Sequence, residues 1–282
     1  MTTFKQLQAH FEMGYGQQTA TQLLPALHKQ QEAIVGKFAG LELHSHYQPL
    51  FHARDLQPFA HEALLRPRKP GQTTFASPFE ALNSATTAQA AIYLDRLCRV
   101  VHAMNFVRQQ PGAQHLFLNV SAQHLQSVSH SHGEAFEGLL HLCGLSPQQV
   151  VLEILESSVD DLALLQTALQ SWRQRGFQIA IDDFGCQHSN FDRLWQMTPD
   201  IVKLDRQLVQ QAAQNTRAAV ILPKLIDMIH DLGARVVCEG VETTEQHQLC
   251  VDAGADFLQG YYYARPAAQL HVALATAHCN EN

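Results

Sequence analysis

The 282-residue sequence predicts an α/β protein, a modified (β/α)8 TIM-type barrel with an antiparallel first strand, and three observations carry that expectation. Eight short β-type runs recur from Leu43 onward. After the second run, each is separated from the next by a segment long enough for a helix, which implies a parallel sheet that eight units close into a barrel. Between the first two runs only about seven residues intervene, fewer than the dozen or more a parallel crossover needs, so these two should pair antiparallel.

Residues 1–40 read as an N-terminal helical extension, because "TATQLLPALHKQQEAIVGKF" carries apolar residues at helical spacing. Residues 41–282 read as the barrel domain. Its strands in order are "LHSHYQPLF", "PFAHEALLR", "HLFLNVS", "QVVLEILES", "FQIAIDDFG", "DIVKLD", "ARVVCEGVE" and "DFLQGYYYA". The intervening helical segments include "DDLALLQTALQSWRQRG" and "RAAVILPKLIDMIHDLG", the latter closing on Gly233 as helices often do. Trp172 and Trp195 fall in helical segments and are expected to be packing residues.

Composition narrows the function classes. With 46% hydrophobic and 16% charged residues and no apolar run near the roughly 18 residues of a membrane helix, the chain reads as soluble and globular, with no membrane partner. "MTTFKQLQAHFEMGYGQQ" has no basic segment followed by an apolar stretch, so the cytoplasm is the expected location. Six dispersed cysteines without a C-x-x-C pair argue against a disulfide framework and a structural zinc site. A formal charge of -7 disfavours a nucleic-acid polymer as partner.

The strand ends carry the chemistry, since barrels of this class build their sites at the C-terminal ends of strands. Glu62, Asn119, Glu153, Asp182, Lys203, Glu239 and Gln259 each follow an apolar strand run. In "DIVKLD", alternation puts Ile201, Lys203 and Asp205 on one face, and with the helices taking the other, Lys203 points inward. Any one of these residues alone would more often be a salt-bridged or solvated group; seven converging on one rim are harder to dismiss. Several carboxylates in one mouth repel each other unless cations neutralise them, and one lysine is too few. An all-oxygen set with an amide suits Mg²⁺ or Mn²⁺ rather than zinc. Asp182 and Asp183 side by side could serve two ions, Asp182 bridging and Asp183 turning out of the strand, which would clamp a phosphodiester for in-line attack. Histidines 44, 46, 52 and 61 cluster around the first hairpin but read as barrel or surface residues, and "SHSHG" reads as a polar loop.

The segments "HEALLR", "NVS", "EILES", "DDFG", "IVKLD", "EGVET" and "QGYYYARP", in this order, resemble the EAL family of cyclic di-GMP phosphodiesterases over about residues 43–267. The resemblance implies a barrel with an antiparallel first strand and metal-dependent hydrolysis of cyclic di-GMP to linear pGpG. It implies that Glu62, Asn119, Glu153 and Asp182 hold one metal ion, and that Asp182, Asp183 and Glu239 serve the second ion and the attacking water. Lys203 would stand beside that water, with Glu62, Asp183, Lys203 and Glu239 forming the catalytic group. Gln48, Leu64, Arg66 and Gln259 would contact substrate, Arg66 through a phosphate. Glu156 would anchor the loop after "DDFG", and the role of Glu242 stays open. Two Mg²⁺ or Mn²⁺ ions are the implied cofactors, with Ca²⁺ inhibitory because its larger, looser coordination suits the paired geometry poorly. A homodimer is the implied assembly.

Two positions depart from the family pattern. Gln187 replaces a loop glycine, which removes backbone freedom, and Pro67 replaces a tryptophan. The altered loop, Cys186 to Asn190, is the main support for the alternative of a receptor that binds cyclic di-GMP without turning it over. A glycoside hydrolase, which would use paired carboxylates in a barrel, fits poorly with the surplus acids, Asn119, Lys203 and the lack of strand-end tryptophans.

Overall fold

A computed structural model describes residues 2–15, 26–121, 133–155, 161–186 and 191–271. Eight strands close into a barrel: β3 (Leu41–His52), β4 (Pro58–Arg68), β5 (His115–Asn119), β6 (Val150–Leu155), β7 (Gln178–Phe184), β8 (Ile201–Leu204), β9 (Arg235–Cys238) and β10 (Phe257–Leu258). From β4 to β10 every neighbouring pair is parallel, whereas β3 runs antiparallel to both β4 and β10 and completes the ring. The expected fold and the expected antiparallel first pair are what the chain adopts. Outside the ring lie α2 (Pro78–Ser84), α3 (Ala88–Arg108), α4 (Glu134–Cys143), α5 (Leu162–Gln174), α6 (Phe191–Met197), α7 (Arg206–Gln214), α8 (Thr216–Asp231) and α9 (Thr244–Asp252). Side-chain caps start several of them: Thr87 for α3, Asp161 for α5, Asp205 for α7 and Thr243 for α9 each accept a hydrogen bond from a first-turn N–H.

Alternation splits the strand residues between two cores. One set faces the helices in a large apolar shell. The other fills the barrel axis with Leu50, Phe59, Ala60, Phe117, Val151, Ala180, Ile201, Val237 and Phe257. Phe59 and Phe257 stack there with centroids 4.1 Å apart. Trp172 is buried in the outer shell as expected, but Trp195 is 57% exposed, because α6 turns Leu194 and Met197 to the core instead.

The helical reading of residues 1–40 needs correction. Helix α1 spans Thr2–Tyr15, but β1 (Leu27–Gln30) and β2 (Ala33–Phe38) form an antiparallel hairpin that extends the barrel sheet through β2 and β3. The sheet therefore runs across the expected boundary at residue 40. Ile34 and Phe38 enter the outer core, and an ideal Cβ on Gly36 would lie 3.1 Å from Val101 on α3. Asn105 of α3 fixes the hairpin: its Oδ1 accepts from Ile34 N–H at 2.8 Å and its Nδ2 donates to Ile34 O at 2.7 Å. Tertiary pairing has overridden an apolar spacing that reads equally well as helix. Asn105→Ala strands both backbone groups of Ile34 in a buried setting, and is expected to destabilise the protein by about 2–3 kcal/mol in urea unfolding.

Candidate functional site

The residues that follow the axial core by two positions form the next layer up the barrel. Glu62 follows Ala60, Asn119 follows Phe117, Glu153 follows Val151 and Asp182 follows Ala180; Lys203, Glu239 and Gln259 likewise follow Ile201, Val237 and Phe257. Strand β3 runs the other way, so Gln48 reaches the same level two residues before Leu50.

Lys203 is the centre of this layer and is almost fully buried. Its Nζ lies 2.6 Å from Glu153 Oε1, 2.6 Å from Glu239 Oε1, 2.9 Å from Asp182 Oδ1 and 3.3 Å from Glu62 Oε2. An ammonium has three N–H donors, so four carboxylates cannot all be satisfied by it. Glu153 Oε1 and Asp182 Oδ1 in fact receive no directed hydrogen bond despite their closeness to the charge. Gln259 Nε2 donates to Glu62 Oε2 at 2.8 Å, while its own buried Oε1 has no partner. Asn119 Nδ2 donates to Glu153 Oε2 at 3.2 Å.

Asp183 takes a different route. Strict alternation would aim it away from the axis, but it adopts a left-handed conformation, φ 56°, and the register between β7 and β8 shifts between Ile181 and Phe184. Aspartate tolerates this region better than most residues. The irregularity brings one oxygen each of Asp182, Asp183 and Glu239 within 4.8 Å of one another, the only such group of potential metal ligands among the described residues. Gly185 secures the turn: its φ is 94°, and a Cβ there would meet Leu208 Cδ1 at 2.0 Å.

Electrostatics follow from this packing. Burial, reinforced by Glu62, pushes the Glu153 carboxyl well above the usual carboxylate range. Burial raises Glu239 to about 8, with Lys203 opposing and Asp182 adding to the rise. Asp183 is raised by burial and by Asp182. Burial alone would lower Lys203, but Asp182, Glu153, Glu239 and Glu62 outweigh it and hold the ammonium well above its ordinary value. Five carboxylates face one ammonium, an excess of four negative charges when all are ionised, which two divalent cations would match. The carboxylate oxygens left without a directed hydrogen bond, the hard all-oxygen donor set and the charge deficit all fit such ions.

Above the layer opens a cleft of about 270 Å³ lined by Gln48, Glu62, Asp182, Asp183, Lys203, Glu239 and Gln259. Glu153 and Asn119 are outside that lining, Glu153 pairing with Lys203 and Asn119 donating to Glu153. Leu64 and Arg66 continue the inward face of β4 beyond Glu62 and stay outside the cleft lining; half-buried Arg66 donates from Nη1 to Leu65 O at 3.1 Å. Glu156 and Gln187 lie outside the described residues. Arg206, Glu242 and Tyr261 also line the cleft. Arg206 had one sequence signal, its place directly after "VKLD", and the stem of its side chain needs Gly240, where a Cβ would fall 2.2 Å from Arg206 Cβ. The histidines of the first hairpin do not assemble. His44 and His46 pack edge-on to Phe75, His52 packs against Phe59 and Phe257, and His61 accepts from the backbone N–H of His271. His130 and His132 lie outside the described residues.

Residues 29–266 match the family model described as the EAL domain, and the chain belongs to that family. Among curated relatives, a probable cyclic di-GMP phosphodiesterase, PdeN of Escherichia coli, is 30% identical over 229 residues, 78% of this chain and 42% of PdeN. The chain spans between 17 and 32% of three further curated relatives. Among solved structures, BlrP1 of Klebsiella pneumoniae in a calcium and cyclic di-GMP complex superposes with a TM-score of 0.71 at 26% identity, covering 80% of this chain and 56% of BlrP1. A manganese complex of BlrP1 gives the same TM-score. The FimX EAL domain of Pseudomonas aeruginosa, bound to cyclic di-GMP, gives 0.71 at 26% identity and covers 83% of this chain and 94% of that one.

The raised carboxyls carry a pH dependence. Glu239 in the folded chain, at about 8, exceeds its unfolded value of 4.5, so the metal-free folded state binds more protons than the unfolded state between those limits. Its stability therefore falls as pH rises through that window, and the raised Glu153 acts in the same direction. In EDTA, the melting temperature is expected to drop from pH 6 to pH 8.5, and Mn²⁺ is expected to abolish or reverse the drop.

Proposed function

We propose that this chain hydrolyses cyclic di-GMP to linear pGpG with two divalent ions, Mg²⁺ or Mn²⁺. The observation that carries the reading is the convergence of Glu62, Glu153, Asp182 and Glu239 on Lys203 Nζ, with Asn119 and Asp183 adjoining. Glu62, Asn119, Glu153 and Asp182 would hold one ion; Asp182, Asp183 and Glu239 would hold the other and orient the attacking water. The bound ions would neutralise the phosphate and lower the pKa of that water. In the reaction one P–O bond forms to water as the P–O3′ bond of the ring breaks, leaving a 5′-phosphate and a 3′-hydroxyl. Lys203, held protonated by its carboxylates, compensates charge that develops on the phosphoryl oxygens. Arg66 binds a phosphate in a geometry that suits guanidinium, and Gln48, Leu64 and Gln259 bound the nucleotide.

The same reading takes Glu156 as the anchor of the loop that follows Asp183, and the chain as a cytoplasmic homodimer. Exposed Phe191 and Trp195 on α6, and Val220 and Ile221 on α8, support an association surface. No helix among the described residues is long and apolar enough to cross a membrane. A binding-only role is the second reading, and Gln187 in place of a loop glycine favours it.

Incubation of purified protein with cyclic di-GMP and Mg²⁺, followed by separation of products, decides between them: pGpG is expected, with Ca²⁺ inhibiting. Tight binding without pGpG at saturating Mg²⁺ would place the chain among receptors. Glu62→Ala and Asp182→Ala are expected to abolish turnover. Arg66→Ala should mainly raise KM, a pattern that steady-state kinetics separates from a loss in kcat.

A further inference from the structure

Asn119 stands at the last position of β5, and the chain leaves the barrel immediately after it. At that exit Val120 N–H donates to Glu153 O at 2.9 Å, and Ser121 N–H donates to Asp95 Oδ1 at 3.2 Å. Asp95 belongs to α3, outside the barrel, and its other oxygen pairs with Arg99 one turn along the same helix. Both side chains are buried, Arg99 at 2% exposure, and the guanidinium lies 4.5 Å above the ring of Phe136 on α4.

A buried ion pair is an inefficient source of stability, since apolar residues of similar volume often serve as well or better. An apolar pair could fill this seam between α3 and α4 but could not offer an acceptor to Ser121. Arg99 pairs with one oxygen of Asp95, and the other accepts from Ser121 N–H at the exit of β5. That bond lies two residues from Asn119, whose amide must turn its oxygen toward the cluster while its Nδ2 leans on Glu153.

We propose that the Asp95–Arg99 pair is a positioning device for Asn119, through which a helix outside the barrel sets the metal affinity of the site. The proposal rests on the reading of Asn119 as a metal ligand. Outer partners of metal ligands typically govern affinity by 10- to 100-fold.

Calorimetric titration of Mn²⁺ into the metal-stripped full chain, without nucleotide, tests it. Asp95→Ala alone would leave Arg99 buried without a counter-charge and risks misfolding, so the informative variants remove both charges. Asp95→Ala/Arg99→Met is expected to bind Mn²⁺ about 10-fold more weakly or worse, while Asp95→Asn/Arg99→Met, which keeps an oxygen for Ser121 N–H, stays within about threefold of the parent. At saturating Mn²⁺ the KM for cyclic di-GMP should be unchanged in both. Affinity within about twofold of the parent in Asp95→Ala/Arg99→Met, the scale of independent-site effects, would overturn the proposal if Asn119→Ala is weakened. An equal loss in the Asn and Ala variants would overturn it too. Parent-like Mn²⁺ binding by Asn119→Ala would instead overturn the ligand reading beneath it.

Discussion

Closure of the barrel at a two-residue side-chain period is the constraint on which the rest of the molecule depends. Every inward position must either fill the axis or be held by something on it. Leu50, Phe117, Val151 and their neighbours fill it, and they form an apolar floor. Two residues further along the parallel strands the axis turns polar, with carboxylates or Lys203 on five of them and the amides of Asn119 and Gln259 on the other two. Those carboxylates stand over a dry base and cannot be solvated from below, which is why burial is the leading cause of the raised Glu153 and Glu239.

Lys203 relieves this layer without neutralising it. Its ammonium is shared among four carboxylates, so the cluster keeps an unmet demand for positive charge. Three departures from local rules coincide in this layer: buried oxygens without a directed hydrogen bond, a left-handed aspartate and a strand irregularity. Such violations concentrate at functional sites, because folding tolerates them only where the surrounding structure fixes them. Membership of the EAL family gives the cluster a chemical context, and the excess of carboxylates over cations gives it a physical one.

The outer shell is arranged to hold this layer still. Asp205, which alternation places on the inward face with Lys203, serves as the N-cap of α7 and accepts from Gln207 N–H at 2.9 Å. Thr243 and Gln246 close a reciprocal capping box directly after Glu239 and Glu242. Gly260 lets the segment that follows β10 and carries Gln259 pass close to Val241, whose O would lie 2.0 Å from the Cβ that glycine lacks. The helices thus begin where the functional residues end, and their first turns fix the strand exits.

The amino-acid pattern by itself determined the barrel, its antiparallel first pair and the inward set from Glu62 to Gln259. These depend on local periodicity and on connection length, both of which are written in consecutive residues. Even the inward direction of Lys203 follows from counting by two along "DIVKLD". Tertiary structure decided what periodicity leaves open. Residues 27–38 carry an apolar spacing compatible with helix, and pairing with β3 together with the Asn105 clamp made them a hairpin. Trp195 became exposed because the packing of Leu194 and Met197 set the rotation of α6. Asp183 reaches the cluster through a backbone irregularity that alternation would deny, and Asp95 meets Ser121 across 26 residues of chain. Each of these outcomes depends on contacts between distant segments, whose energies are absent from any short window of sequence.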